Sequence, residues 1–572
     1  MNTTVELDDG LISIYAPMAL RELVKQVPGA RYDSKNQRWT APLSWGVCLA
    51  LRGVFGPDLE VGPQLVAWAS NHVATVVNPA LELHAARDAE GDPRLFPYQR
   101  ATVAFTKHSG SILNASEMGL GKTVETIMAV NKWPVLVVCN NTMKDTWRKE
   151  FHKWAPHAEV VVLRGGSVKI RKLAQEPADV YIINWESLRL HTRLAPYGSI
   201  RLKRCEEHGG FDKETACEVH ERVLNHPWGT VVADEAHRAK DPQAKQTRAL
   251  WAVGSHAEQR IALTGTPVAN APDDLWSIVH FVSPDDWPAK TRFLERYCMM
   301  GVGQWGGVDI IGLRHDTRDE FFRILDPMYR RDTKAAVLEQ LPPKTYTSRT
   351  VDMPVKQARA YKQMREQMLA ELDGGVTVVT NPLARAVRLS QFACAYAEVE
   401  GDTLRLADPS CKVDALLEIV EELGDAQAVV FAESKQLINL AAARLDKAGV
   451  SYGLITGDVP EAERTNTITQ FTEGQRQLIL ATLGAGGESI TLTAAATAIF
   501  LQRSWSLVKN KQAEDRIHRI GQESPIVEII DVISAGTIEE YRFEVLEDKE
   551  ERLQEITRDA ELLRAALEWR GA

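Results

Sequence analysis

The stretch QAEDRIHRIGQ, Gln512 to Gln522, sets Arg516 and Arg519 on one side of an expected helical turn with acids around them. A guanidinium is planar, always charged and able to bond phosphate oxygens two at a time, so a spaced pair suits the steadying of a phosphoryl group in transfer. A solvated, salt-bridged helix face would use the same residues. A matching phosphate cradle lies upstream in SEMGLGKT, Ser116 to Thr123, between the apolar run Ser111 to Leu113 and the helix-like VETIMAV. In that order of strand, glycine loop and helix, the backbone amides from Gly119 through Gly121 to Lys122 can bind a β-phosphate. Lys122 can reach the β and γ oxygens, and the Thr123 hydroxyl can hold Mg2+. Farther on, VVADEAH closes an apolar run with Asp234 and Glu235. Asp234 would complete the Mg2+ shell, and Glu235 would orient or deprotonate the attacking water. Gln99, in LFPYQR, offers an amide that can both donate to and accept from an adenine edge. LTGTPVAN, Leu263 to Asn270, supplies small hydroxyl and glycine positions able to pass on a change at the phosphates. ATP and Mg2+ are the cofactors these residues call for.

The elements that must hold them can be read from the apolar pattern. Runs at Val135 to Cys139, Val180 to Ile183, Val231 to Ala233 and Ile261 to Thr264 alternate with helix-like stretches, the rhythm of a parallel α/β sheet. Ala428 to Phe431, Gly453 to Thr456, Leu478 to Thr482 and Ala498 to Leu501 repeat it, giving a second lobe of the same kind. Between them a mostly helical region is expected from about Asp285 to Ala407, broken by GVGQWGG and by Pro342 and Pro343. The expected divisions are a small α+β domain over 1–88, a first lobe over 89–345 with a helical insertion from about 285, a second lobe over 346–535, and a helical brace over 536–572.

At 572 residues the chain exceeds one hydrophobic core, and 44% hydrophobic with 25% charged residues is an ordinary globular composition. No apolar run reaches the roughly 18 residues of a membrane span, and the acidic start MNTTVELDDG is no signal peptide. The expected location is the cytoplasm of a bacterial or phage-infected cell, associated with the nucleoid, or the nucleus in a eukaryote. A net charge of -10 argues against wholesale coating of nucleic acid, yet a local basic track would suffice.

Two of the seven cysteines and two of the 14 histidines form two Cys-x-x-His pairs around a glycine turn: Cys205 with His208, and Cys217 with His220. Four such ligands suit a closed, structural tetrahedral Zn2+ site on an insertion over 200–223, although a polar loop with incidental thiols would read the same way. In the first ninety residues, a strand at Ile12 to Pro17 and a helix at Ala19 to Val27 precede an expected hairpin, Pro28 to Pro42. It would put Tyr32 and Trp39 on one face, as a cross-strand pair in a small core or as a nucleic-acid platform.

The wordings GLGKT, DEAH, LTGTP and QAxDRxHRIGQ, with TGDVPEAER, LATLGAGGESITLT and MYRRDTKAAVLEQLPPK, resemble the motifs of superfamily-two helicases, specifically the Swi/Snf family of DNA-dependent ATPases. The resemblance covers about Phe96 to Leu553. It implies two RecA-like lobes with ATP between them, Gln512 joining the nucleotide-binding set, and Arg516 and Arg519 supplied in cis as an arginine finger. PGARYD and QRW are similar to the HARP domain ahead of the ATPase in annealing helicases, which that family uses to engage branched DNA. Translocation on double-stranded or forked DNA is the implied activity, for fork remodelling or strand annealing; a chromatin remodeller, a strand-separating helicase or an idle scaffold are the other readings. Asn140, Trp147 and Lys149 in the first lobe, and Thr456, Arg464 and Thr482 in the second, are the expected DNA contacts. Replication or repair proteins are possible partners, no membrane is, and the chain is expected to act as a monomer. Ser116 stands where relatives commonly carry Asp, and GESIT and SWSLVKN depart from the usual wording of their loops.

Overall fold

The computed structural model describes residues 3–174, 176–191, 228–255, 257–265, 267, 273–302, 308–338, 341–373, 375–379, 382–400, 403–486, 491–519 and 521–547. The chain divides after Val337 into two compact units.

The first unit opens with a five-stranded sheet made of β1 (Thr3–Asp8), β2 (Leu11–Tyr15), β3 (Arg31–Asp33), β4 (Arg38–Pro42) and β5 (Leu59–Val61), in the order β3-β4-β2-β1-β5. β1 was hidden inside the acidic start of the chain. Asp9 and Gly10 both take positive φ, 47° and 74°, and make the two-residue turn into β2 that an Asp-Gly pair favours. Tyr32 does pair with Trp39, edge to face at 5.4 Å. Trp39 also pairs with Ile14 and packs on the core of Val5, Ile12, Ile14 and Leu51, while Tyr32 stays exposed at the sheet edge. The pair's inner half therefore belongs to the small core.

This domain is fastened to the rest of its unit. Ser44 caps the helix Trp45–Phe55 by accepting from Val47 N, and its hydroxyl also donates to the Asp285 carbonyl at 3.3 Å. Gly46 N donates to Asp286 Oδ1 at 2.7 Å, and the Trp45 indole donates to the Arg323 carbonyl at 3.3 Å. Side chains are excluded where the surfaces meet: a Cβ on Gly46 would lie 2.9 Å from Asp286 Oδ1, and one on Gly53 would lie 2.5 Å from Glu320 Oε2.

The first lobe contains β6 (Ile112–Asn114), β7 (Val135–Cys139), β8 (Val160–Val162), β9 (Val180–Asn184), β10 (Thr230–Asp234) and β11 (Gln259–Leu263). An antiparallel hairpin, β12 (Cys298–Val302) with β13 (Val308–Leu313), follows, and β14 (Tyr329–Arg330) returns to the main sheet. Its order is β14-β6-β11-β10-β7-β9-β8, every neighbouring pair parallel. Helices cover both faces of such a sheet, so central strands like β7 and β9 are buried at every position and read as unbroken apolar runs. Buried Arg330 locks β14 in place. Its guanidinium donates to the carbonyls of Leu83, His84 and Ala86 at the end of the helix Asn78–Ala85 and pairs with Asp332.

In the second unit β15 (Lys344–Val351) precedes two hairpins, β16 (Leu369–Leu372) with β17 (Gly375–Val378), and β18 (Tyr396–Glu400) with β19 (Thr403–Ala407). The main sheet is completed by β20 (Ala428–Ala432), β21 (Tyr452–Ile455), β22 (Leu478–Thr482), β23 (Thr497–Phe500) and β24 (Val527–Ser534), in the parallel order β15-β24-β23-β20-β22-β21. The expectation of a mostly helical region from Asp285 to Ala407 is corrected here: helices alternate with three hairpins and two sheet strands. In the sequence, Asp373-Gly374 and Gly401-Asp402 separate the strands of β16/β17 and β18/β19, dipeptides whose chemistry favours a tight hairpin over a helix. Of the expected C-terminal brace, residues 538–547 are helical and those beyond lie outside the described residues. Among the described residues no helix is long and apolar enough to cross a membrane.

Candidate nucleotide site

The C-terminal ends of parallel strands expose backbone and polar side chains together, and the site is built there. β6 ends at Asn114, and the loop that follows turns on Gly119 and Gly121, both at positive φ, 84° and 90°, before the helix Lys122–Ala129. Those two glycines let successive amides face one point at a helix N-terminus, a cradle for phosphate. The Lys122 ammonium lies over the same loop and donates to the Ser116 and Glu117 carbonyls at 2.6 and 3.0 Å. Thr123, half-buried, follows it on the first turn of the helix.

The loop is held from behind. Gln99 Nε2 and the Tyr98 hydroxyl both donate to the Leu120 carbonyl, at 2.9 and 3.0 Å, while Gln99 Oε1 accepts from Phe96 N at 3.0 Å. Gln99 is thus a brace for the glycine loop, and a Cβ on Gly121 would approach its Nε2 to 2.3 Å. Beneath the loop, Asn114 links the Ser116 amide to Glu125 Oε2. Burial pushes the Glu125 carboxyl up to about 8, against the Asn114 hydrogen bond that lowers it, so at neutral pH it is mostly uncharged and does not repel a phosphate. Ser116, the departure noted above, is fully buried and accepts from Asp332 N at 3.1 Å, which joins the loop to the strap after β14.

β10 delivers the acidic pair. Burial first, then the charge of Glu235, raises the Asp234 carboxyl above the ordinary range, while the Trp147 indole and the Lys122 charge oppose the rise. Glu235 sits in the left-handed region at φ 54° and ψ 51°, a strained conformation that re-aims its side chain after the strand. His237 Nδ1 lies 3.2 Å from the Thr264 hydroxyl and 3.3 Å from Glu235 Oε2, tying DEAH to the start of TGT. A Cβ on Gly265 would lie 2.9 Å from Met118 Cγ, so that second loop backs directly on the glycine loop. An amide cradle, an ammonium, a hydroxyl at Thr123 and the half-buried carboxylate of Asp234 form a donor set that fits a magnesium nucleotide.

Trp147 is misplaced among the expected DNA contacts. It is fully buried, and its indole donates to Asp234 Oδ2 at 2.9 Å. Two residues that sequence reasoning passed over complete that neighbourhood. Trp185 donates to the Asp234 carbonyl at 2.9 Å, and Arg238 donates to Asn140 Oδ1 and Glu186 Oε1, each at 2.5 Å. Asn140 is therefore engaged inside the lobe, whereas Lys149 is exposed.

In the second unit the helix Leu507–Glu514 carries Gln512 and stops before the arginines, which lie on the turn beyond it. The two acids just before them have partners of their own. Glu514 is buried against Lys344 at 3.2 Å, Arg503 at 2.8 Å and the Tyr346 hydroxyl at 2.9 Å, and Asp515 pairs with Lys344 at 3.4 Å. Burial would raise the Glu514 carboxyl, but the charges of Lys344, Lys511 and Arg503 hold it at about 2. Arg519 donates to the Thr491 hydroxyl at 3.1 Å, and the Arg516 carbonyl accepts from Leu492 N at 2.9 Å. Thr456 is buried just past β21, Thr482 ends β22 half-buried, and Arg464 folds back on the Val459 carbonyl at 2.7 Å. Cys205, His208, Cys217 and His220 lie outside the described residues.

A glycine cradle and an acidic strand end on one parallel sheet, with a second parallel-sheet unit after it, define a P-loop protein of the two-lobed helicase type. The chain belongs to the SNF2-related family: the SNF2-related domain matches residues 37–396, and the helicase conserved C-terminal domain matches residues 411–521. It is 26% identical over 467 residues to the DNA annealing helicase and endonuclease ZRANB3 of Bos taurus, covering 80% of this chain and 40% of that protein. Over 547 residues it is 25% identical to the SWI/SNF-related matrix-associated actin-dependent regulator of chromatin subfamily A-like protein 1 of Xenopus tropicalis, covering 92% and 52%. The chain spans about half the length of these curated relatives. Among solved structures it is similar to the Sulfolobus solfataricus SWI2/SNF2 ATPase core in complex with dsDNA, at 25% identity and a TM-score of 0.37, covering 80% of this chain and 90% of that one.

Proposed function

We propose that the protein is a DNA-dependent ATPase that moves along duplex or branched DNA, remodelling forks or annealing strands. The observation that carries this reading is the phosphate cradle, with Lys122 over the glycine loop and Asp234 and Glu235 at the end of β10, in a chain of the SNF2-related family. In this reading Gly119, Gly121 and Lys122 bind the phosphates, Gln512 the rest of the nucleotide, and Thr123 and Asp234 the magnesium, while Gln99 serves the nucleotide by bracing the glycine loop. Glu235 activates water, and Arg516 and Arg519 stabilise the phosphoryl group in transfer. Mg2+ supplies charge neutralisation between the phosphate oxygens. Movement relies on contacts to sugar and phosphate more than to bases, so Lys149, Thr456, Arg464 and Thr482 are retained as candidate contacts and Trp147 is not. Asn140 contributes through Arg238.

The small N-terminal domain is the candidate module for branched DNA, as a HARP-like domain would be. Cys205, His208, Cys217 and His220 are the candidate zinc ligands, and a fully folded preparation containing no zinc on metal analysis would remove that assignment. Replication or repair proteins are the candidate partners.

ATP hydrolysis measured with duplex, forked and single-stranded DNA, with Lys122→Ala as the blank, tests the main reading. Stimulation by duplex or forked DNA is expected. Hydrolysis that no form of DNA stimulates would sink it, and equal stimulation by RNA would favour a general helicase.

A further inference from the structure

We infer that Trp147 and Trp185 are positioning residues that fix the Asp234 carboxylate for Mg2+, and that through Trp147 this fixation depends on the helix Lys144–Trp154. The inference rests on the nucleotide-site reading above and deepens it.

The two indoles take both acceptor groups of one residue. Trp147 donates to the carboxylate oxygen Oδ2 and Trp185 to the backbone carbonyl, each at 2.9 Å, and both rings are fully buried. A buried indole N–H usually takes an acceptor, and a backbone carbonyl is enough, as Ser277 O is for Trp251 at 3.2 Å; the Trp276 and Trp287 indoles take none among the described residues. Trp147 donates instead to the carboxylate of Asp234, the side chain that would help hold magnesium. With Oδ2 held, the rotamer of Asp234 is set, so its carboxylate would be offered to the cation in one orientation; groups that bond a ligand from behind in this way orient it and tune its affinity.

The pins come from two different elements. Trp147 lies on the helix after β7, and Trp185 opens the helix Trp185–His191 directly after β9. Arg238, on the turn that follows Asp234 and Glu235, reaches the same two segments through Asn140 and Glu186, and Asn184 Nδ2 donates to Glu186 Oε2 at 2.9 Å. The ends of β7, β9 and β10 are thereby closed into one network around Asp234. The helix bearing Trp147 also presents Arg148 and Lys149 on its exposed side, so a displacement of that helix is felt at Asp234 through a single buried ring.

The test is a magnesium titration of nucleotide binding without turnover. A fluorescent ADP analogue is bound to the full chain at rising MgCl2, for wild type, Trp147→Phe, Trp185→Phe and the control Trp251→Phe. Phenylalanine keeps a ring in the core and removes only the N–H donor. Trp147→Phe is expected to raise the half-saturating Mg2+ concentration by about 10-fold to 100-fold, with magnesium-free nucleotide binding unchanged. Trp185→Phe shifts it by less in the same direction, and Trp251→Phe leaves it alone. A folded Trp147→Phe protein whose titration overlays wild type overturns the inference. Should Trp147→Phe fail to fold, Trp185→Phe decides on the same criterion. Wild type that binds no nucleotide, or binds it without magnesium dependence, would instead strike at the nucleotide-site reading itself.

Discussion

Arg519→Ala is expected to lower ATP turnover by about 10³ to 10⁵ while nucleotide affinity stays within a few-fold, as for other arginine fingers. The alternative for QAEDRIHRIGQ was a salt-bridged helix face, and that requires the neighbouring acids. The helix has ended before Arg516 and Arg519 are reached, and Glu514 is held by Lys344 on one oxygen and Arg503 on the other. A guanidinium used only in transition-state stabilisation shows its loss in turnover and not in ground-state binding. Single-turnover hydrolysis beside a nucleotide-binding titration separates the two. Normal hydrolysis by Arg519→Ala would make the pair a structural feature of the second lobe. Arg519→Lys should recover little, because an ammonium lacks the planar fork that bonds two oxygens at once.

What could be read in the sequence depended on how local its cause was. The glycine loop declared itself because positive φ at Gly119 and Gly121 and a following helix are written in consecutive residues, and DEAH because charge ends an apolar run. Asp9-Gly10 carries an equally local signal for the β1–β2 turn, but β1 before it offers only Val5 and Leu7 as apolar positions among polar and acidic residues. Trp147 failed for a different reason. In KDTWRKEF an aromatic ring among basic residues suggests nucleic acid, yet Trp147 and Phe151 are one helical turn apart and both face the core, with rings 6.0 Å from each other. The period was available in the sequence; the acceptor on a strand 87 positions away was not. Likewise nothing near Glu514 in sequence indicated that it would be held by a lysine from β15, 170 positions earlier.

Buried charge also sets a large expected stability effect. Lys412, on the helix Cys411–Leu423, is 0% exposed; its ammonium meets Glu539 Oε2 at 2.5 Å and donates to the Val532 carbonyl on β24. Glu539 is itself 6% exposed and accepts from Ser534 N at 3.1 Å. Truncation to Lys412→Ala strands the carboxylate in the core, a loss on the order of 3–5 kcal/mol. Removing both charges while preserving the acceptor separates burial of an unpaired ion from the worth of the contact. Lys412→Met with Glu539→Gln keeps an oxygen for Ser534 N and should recover most of that loss, since a buried ion pair is often no more stable than a neutral replacement. Hydrogen exchange resolved by peptide is the suitable measurement, because a chain of two compact units need not unfold in one step and protection in β24 and the helix Cys411–Leu423 reports the second unit alone. A Lys412→Ala protein that keeps wild-type protection there would show that the carboxylate finds water or another donor. A double variant no better than Lys412→Ala would mean that the lysine stem and its bond to Val532, rather than the charge left behind, carry the stability.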